Sequence, residues 1–221
     1  MSSKNVTIFG TCRLDTLSNY NARIKFEISY TYDTKEILEV IRFIKYDHLS
    51  PEQTITTFRT PMIEKKPVYA KDFEGIFEKT DIFVIEICGK NSYKYNNICV
   101  HSALSDFSNE IIAKNIEIHK QSDEEIENDI IEIMNQLNSR RIIIVGHIVT
   151  EYNGERYELS KLLQNICTKY NLGFIDPVIE ITKKGHNIND VIVHERKKIY
   201  HYNDSGHSIM KEIYEEFIEK I

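Results

Sequence analysis

Tryptophan is absent, and glycine, proline and cysteine are scarce, at eight, four and four in 221 residues. So few glycines and prolines exclude a collagen-like or low-complexity chain. The four cysteines, Cys12, Cys88, Cys99 and Cys167, form no C-x-x-C pair and show no Cys/His metal spacing. That excludes a disulfide scaffold and argues against a structural zinc site, so no metal is expected. No apolar run approaches the ~20 residues needed to cross a bilayer, so no membrane partner is expected. Residues 1–5, Met-Ser-Ser-Lys-Asn, lack the apolar segment of a signal peptide, and free thiols in the cytoplasm are the expectation. Basic excess is lacking too. Lys and Arg number 28 against 34 Asp and Glu, a net charge of -6. The basic clusters, Lys65–Lys66, Arg140–Arg141 and Arg196–Lys197–Lys198, never exceed three residues. A nucleic-acid surface would need a longer stripe, so no nucleic-acid partner is expected.

What is present is ordinary globular composition, 41% hydrophobic and 28% charged. The length suits one full core, and no repeat, linker or composition shift divides it. One domain over residues 1–221 is expected. Short β-type runs alternate with longer helical patterns, the mark of a parallel sheet covered by helices. Val6–Gly10 reads as a buried strand ending in glycine, and Ile24–Tyr30 alternates apolar and polar residues like a second strand. Thr34 caps a helix through Ile37, Leu38, Val40, Ile41 and Ile44. Ile82–Ile87 is an apolar run holding one glutamate, as a central parallel strand would be. Asp123 opens a long helix, Arg141–Gly146 is the next central strand, and Tyr157–Tyr170 is another helix. A short strand at Gly173–Ile175 and a turn at Asp176–Pro177 precede a final amphipathic helix from about Ser205 to Ile221. His48–Lys71 and Gly89–Ser105 read as irregular excursions. The predicted architecture is a three-layer α/β/α domain with a mainly parallel central sheet.

Sites in such folds gather at the carboxyl ends of the strands, and three strand ends or loops carry reactive residues. Gly10-Thr11-Cys12-Arg13 follows the first strand. A thiol at the start of a helix there faces free N–H groups, and a depressed pKa is expected. Gly89-Lys90-Asn91 follows the Ile82–Ile87 strand, where an Asn side chain on a glycine turn can aim its N–H at an oxyanion. The alternative for Asn91 is a turn residue satisfying local backbone. His201-Tyr202-Asn203-Asp204-Ser205-Gly206 leads into the last helix, and a histidine held in a capped loop suits a general base. His147, after Arg141–Gly146, points toward the same edge and either lines a substrate pocket or packs under a loop. Arg13 and Lys90 lie beside the site and either bind donor phosphates or stay solvated.

In this order, the three segments resemble the motifs of the SGNH (GDSL-like) hydrolase superfamily. Gly10-Thr11-Cys12 stands for its Gly-Asp-Ser, Gly89-Lys90-Asn91-Ser92 for its Gly-x-Asn-Asp, and His201 to Gly206 for its His-Pro-Asn-x-x-Gly. The Gly-x-Cys-Arg form is similar to a cysteine-bearing branch near capsular-polysaccharide O-acetyltransferases. The resemblance implies an SGNH/flavodoxin-like fold, Cys12 as nucleophile, His201 as base and Asn91 as oxyanion donor. It implies Gly89, Lys90, Arg13 and His147 around a saccharide or other small substrate, with acetyl-CoA as acyl donor. The chain departs from the family at two points. Lys198 stands where an aspartate usually precedes the histidine, and no glycine lies between Gly10 and Gly75. Asp204 and Glu195 are the candidates for the acid, and a dyad without one is the alternative. Asp204-Ser205-Gly206-His207 offers a second register with His207 as base. A non-catalytic carbohydrate- or nucleotide-binding module on the same fold competes with the acyl-transfer reading.

Overall fold

A computed structural model describes residues 4–107, 110–138, 141–194 and 200–221. Strand β1 (Val6–Phe9) leads through a short 3-10 helix (Cys12–Leu17) and a π-helical turn (Ile24–Ile28) to α1 (Thr34–Tyr46). Helices α2 (Pro51–Thr57) and α3 (Arg59–Glu64) precede β2 (Ile82–Glu86). An arm follows, made of β3 (Asn91–Tyr95), β4 (Ile98–Val100), α4 (Leu104–Phe107), α5 (Glu110–Lys114) and β5 (Glu117–Lys120). Then come α6 (Asp123–Leu137), β6 (Ile142–Val145), α7 (Glu155–Tyr170), β7 (Gly173–Ile175) and α8 (Pro177–Lys183). The chain ends with α9 (Ile188–Val191), β8 (Ile192–His194), β9 (Tyr200–Tyr202) and α10 (Asp204–Lys220).

The central sheet is parallel, in the order β1-β2-β6-β7. Its strands are short and almost wholly apolar because both faces are covered. Side chains alternate between two cores. Phe83, Ile85, Ile142 and Ile144 pack with α1, α6 and α7 on one face. Ile82, Val84, Ile143 and Val145 pack with α8, α10 and Leu14 and Leu17 on the other. This is the expected three-layer α/β/α arrangement. Among the described residues, no helix is long and apolar enough to cross a membrane.

The helices start where side chains can satisfy their first N–H groups. Asp33, one residue before the expected Thr34, caps α1 by accepting from the N–H groups of Lys35 and Glu36. Ser122 and Glu125 form a reciprocal capping box on α6. Asn203 caps α10 through its bond from the Gly206 N–H.

Three expectations are corrected. Ile24–Tyr30 is not a strand. Asn21 takes the free edge of β1, with its N–H on the Val6 carbonyl at 3.0 Å. The chain then coils so that Ile24 and Ile28 both bury while Phe26 faces out, and the Ser29 N–H reaches back to the Ile24 carbonyl. The period-two pattern of apolar residues there belongs to a helical turn that buries Ile24, Lys25, Ile28 and Ser29. His48–Lys71 is not irregular either. Ser50 and Gln53 form a capping box and Pro51 stands at the first turn of α2, where its missing N–H costs nothing. Gly89–Ser105 contains a hairpin whose Asn96 and Asn97 both adopt positive φ (51° and 63°), as a tight primed turn requires.

Candidate active site

The carboxyl ends of β1, β2 and β6 open into a cavity of about 470 Å³, lined in part by Thr11, Cys12, Tyr32, His147, Arg156 and His201. At its centre Cys12 Sγ lies 3.2 Å from His201 Nδ1. The two residues are 189 positions apart in sequence. Cys12 opens the 3-10 helix after β1, and Thr11 caps it by accepting from the Arg13 N–H. A first-turn N–H has no acceptor within its own helix, so that of Cys12 is available to a ligand. His201 is held in β9, opposite Val193 of β8.

The approach to Cys12 depends on Gly10. Its φ is +150°, and a Cβ there would stand 2.8 Å from both Glu86 Cβ and Leu14 Cδ1. Glycine lets the turn pass directly over the end of β2. There Glu86, almost fully buried, accepts from the Thr11 N–H (2.9 Å) and hydroxyl (2.6 Å) through one oxygen. Its other oxygen accepts from Arg13 Nε at 2.5 Å.

Burial pushes the Cys12 thiol above its ordinary value, with Arg13 pulling it down and Glu86 and Asp15 adding to the rise. The depressed pKa expected from the helix start is therefore not found: desolvation outweighs the partial charge of a short helix. The other thiols are buried more deeply. Burial raises Cys88 well above its ordinary value and Cys167 to about 12. Burial also lowers His147 to about 3, with Arg13 and Arg156 contributing. His147 therefore stays neutral, donating from Nδ1 to the Ile148 carbonyl at 2.7 Å. Tyr32 is pushed up to about 12, first by burial.

The residues expected around the site divide into two groups. Cys12, His201, Arg13, Gly89 and His147 all line the cavity. Arg13, however, is spent on Glu86, on Cys88 Sγ and on the Tyr200 carbonyl, and is not available to donor phosphates. Asn91 is not brought to the cavity. It opens β3, exposed, and pairs across the ladder with Lys120. The strand of the arm begins at the Asn, so no glycine turn carries its side chain inward. Lys90 reaches Asp123 at 2.5 Å and points away from the cavity lining. Asp204 is exposed in the first turn of α10, where its charge falls on His207. His207 packs edge-on against Tyr202 at 5.5 Å between ring centres. Glu195, the other candidate acid, lies outside the described residues. Sequence reasoning missed Tyr32, Tyr93, Ser102 and Arg156 as lining residues, and Glu86 beneath Cys12. The lone charge in the Ile82–Ile87 run was the available signal for Glu86, since a carboxylate inside a doubly covered strand needs a buried partner. Among the described residues, no group of three or more His, Cys, Asp or Glu side chains is arranged to hold a metal ion.

No protein-family model and no curated protein matches the chain. Among solved structures, the chain is similar to an alpha/beta hydrolase enzyme from the metagenome of Lake Arreo, with 13% identity and a TM-score of 0.48, over 98% of this chain and 95% of that one. It is also similar to an acetylxylan esterase from Geobacillus stearothermophilus, with 14% identity and a TM-score of 0.46, over 98% and 94%. A third similar structure is a lipase/acylhydrolase from Enterococcus faecalis, with 12% identity and a TM-score of 0.44, over 99% and 97%.

Proposed function

We propose that this protein transfers acyl groups through Cys12 and His201, as an O-acetyltransferase acting on a carbohydrate hydroxyl with an acetyl thioester such as acetyl-CoA as donor. The observation that carries the reading is the 3.2 Å approach of Cys12 Sγ to His201 Nδ1 inside an open cavity. A nucleophile and a base within hydrogen-bond reach are the minimum machinery for covalent acyl transfer.

Burial raises the Cys12 thiol, so a base must take its proton as it reacts. As Sγ attacks the donor carbonyl, its proton passes to Nδ1, and the carbonyl electrons move onto oxygen. The Cys12 N–H offers that oxyanion a hydrogen bond. Collapse expels the donor's sulfur, which takes the proton from His201 and leaves Cys12 as an acyl thioester. His201 then removes a proton from the acceptor hydroxyl, the new ester forms, and Cys12 Sγ recovers the proton. Thioester-to-thioester exchange is nearly neutral in energy and transfer to a hydroxyl is downhill, which favours a thioester donor. With an ester as donor, its alcohol leaving in place of the sulfur, and water as acceptor, the same steps give an esterase.

The test is the pre-steady-state hydrolysis of p-nitrophenyl acetate. A burst of nitrophenolate stoichiometric with protein is expected, lost in Cys12→Ala and slowed in His201→Ala. No burst from the wild-type protein, or one that survives in Cys12→Ala, would leave a binding module as the better reading.

A further inference from the structure

The ion pair beneath the nucleophile has more partners than a stabilising contact needs. Glu86 and Arg13 are 1% and 4% exposed. Glu86 holds Thr11 by its N–H and hydroxyl and holds Arg13 by Nε. The outer nitrogens of Arg13 donate to the Tyr200 carbonyl at 3.4 Å and to Cys88 Sγ at 3.0 Å. The contacts therefore reach the residues on both sides of Cys12, the end of β2, and the residue before His201. An isosteric apolar pair would often serve stability as well as a buried ion pair does. It would supply neither these directed bonds nor fixed charge beside a sulfur.

We propose that the Arg13–Glu86 pair is a positioning device for the Cys12–His201 couple, with Glu86 fixing the turn of the nucleophile and Arg13 tying that turn to the strand of His201 while balancing the charge of Glu86 at the sulfur. The inference rests on Cys12 being the nucleophile, but its main readout is the thiol itself.

The charged and titratable groups facing Cys12 among the described residues are His201 from β9, Arg13 and Asp15 from its own helix, Glu86 from β2, Lys25 from the π-helical turn and Tyr30 just after that turn. Arg13 and Lys25 favour the thiolate, whereas Glu86 and Asp15 oppose it. Because the two members of the pair act on the sulfur with opposite sign, removing either one leaves the other uncompensated. Opposite shifts would show the charges of the pair acting at the sulfur, and a slow Arg13→Lys protein with an unmoved midpoint would show the directed bonds positioning it.

The experiment is the pH profile of Cys12 alkylation by iodoacetamide, read by peptide mass spectrometry in folded Glu86→Gln, Arg13→Gln and Arg13→Lys proteins. Acetylation by acetyl-CoA is followed in parallel. The midpoint is expected to fall by about half a pH unit or more in Glu86→Gln and to rise by a similar amount in Arg13→Gln. Arg13→Lys keeps the charge but loses the guanidinium fork. It should hold the wild-type midpoint while acetylating about tenfold more slowly or worse. Shifts of the same sign in the two glutamine variants, or no shift in either, overturn the proposal. If neither glutamine variant folds, Arg13→Lys decides, and a displaced midpoint or wild-type acetylation rate overturns it. If even the wild-type protein is not acetylated, the acyl-transfer reading fails and the midpoints alone judge the pair.

Discussion

Gly206→Ala is expected to damage both stability and the site. Gly206 is the third residue of α10, and its N–H is held by the Asn203 side chain at 2.9 Å. An added Cβ would stand 2.1 Å from the Val191 carbonyl oxygen and 3.1 Å from Tyr202 Cβ. A carbon and a carbonyl oxygen settle at about 3.3 Å, so about 1.2 Å of separation must be found. The same Val191 carbonyl accepts the Asn203 N–H at 3.1 Å, next to the β8–β9 ladder that holds His201. Overpacking costs about 1–3 kcal/mol and the strained backbone bond about 1 kcal/mol more. Better helix propensity returns up to about 1 kcal/mol. The net loss is roughly 1–4 kcal/mol, or roughly 2–16 °C in Tm for a chain of this size. Moving His201 by about 1 Å would slow acylation of Cys12 by about 100-fold. Circular-dichroism melting and single-turnover acylation give the two numbers. An alanine variant with wild-type Tm and wild-type acylation would refute the reasoning, because it would mean that α10 and the end of α9 are not pressed together at Val191.

The remaining expectations concern the thiol, the arm and the buried acids. A thiol reagent should label Cys12 faster than Cys88, Cys99 or Cys167, with a rate still rising above pH ~8.5 because burial raises the thiol; a plateau below that pH contradicts it. Asn91→Ala should leave acylation within about twofold, since its side chain is exposed on β3. A loss of about 100-fold or more in a kinetic assay would restore it as an oxyanion donor. Asp33 and Glu36 are both buried, and burial raises both carboxyls, with Asp129 adding to the rise at Asp33 and Asp33 adding to the rise at Glu36. Groups raised in this way add stability while protonated in both states, and that stability is lost as pH climbs above the ordinary carboxylate range of about 4. Glu36→Gln should therefore gain on the wild-type protein in urea melts at pH 8 relative to pH 5, its amide oxygen still accepting the Tyr32 N–H. An equal difference at both pH values argues against the buried acid pair.

The central strands were legible in the sequence because burial on two faces leaves a run with few alternatives, as at Ile82–Ile87 and Arg141–Gly146. The long helices were legible from their period: α6 starts at the expected Asp123, α10 starts one residue before the expected Ser205, and the cap of α1 is Asp33 in place of Thr34. Ile24–Tyr30 failed because its apolar residues Ile24, Phe26 and Ile28 stand at every second position, as in a half-buried strand, whereas the helical turn buries Ile24, Lys25, Ile28 and Ser29. The meeting of Cys12 with His201 was anticipated from motif order, although nothing local links them. Asn91 and Asp204 were not brought to the cavity, because order along the chain says nothing of the strand that begins at Asn91 or of the way the first turn of α10 faces. Glu86 needed its partner Arg13 to be meaningful, and that pairing across 73 positions exists only in the folded chain.

The most direct test is the intact mass of the protein after brief incubation with acetyl-CoA and acid quench, for wild type, Cys12→Ala and His201→Ala. The account predicts a mass gain of one acetyl group on the wild-type protein, mapped to Cys12 and labile to hydroxylamine, absent from Cys12→Ala and slow to appear in His201→Ala. An acetyl group that maps to another residue, or that forms on His201→Ala as fast as on wild type, would contradict it.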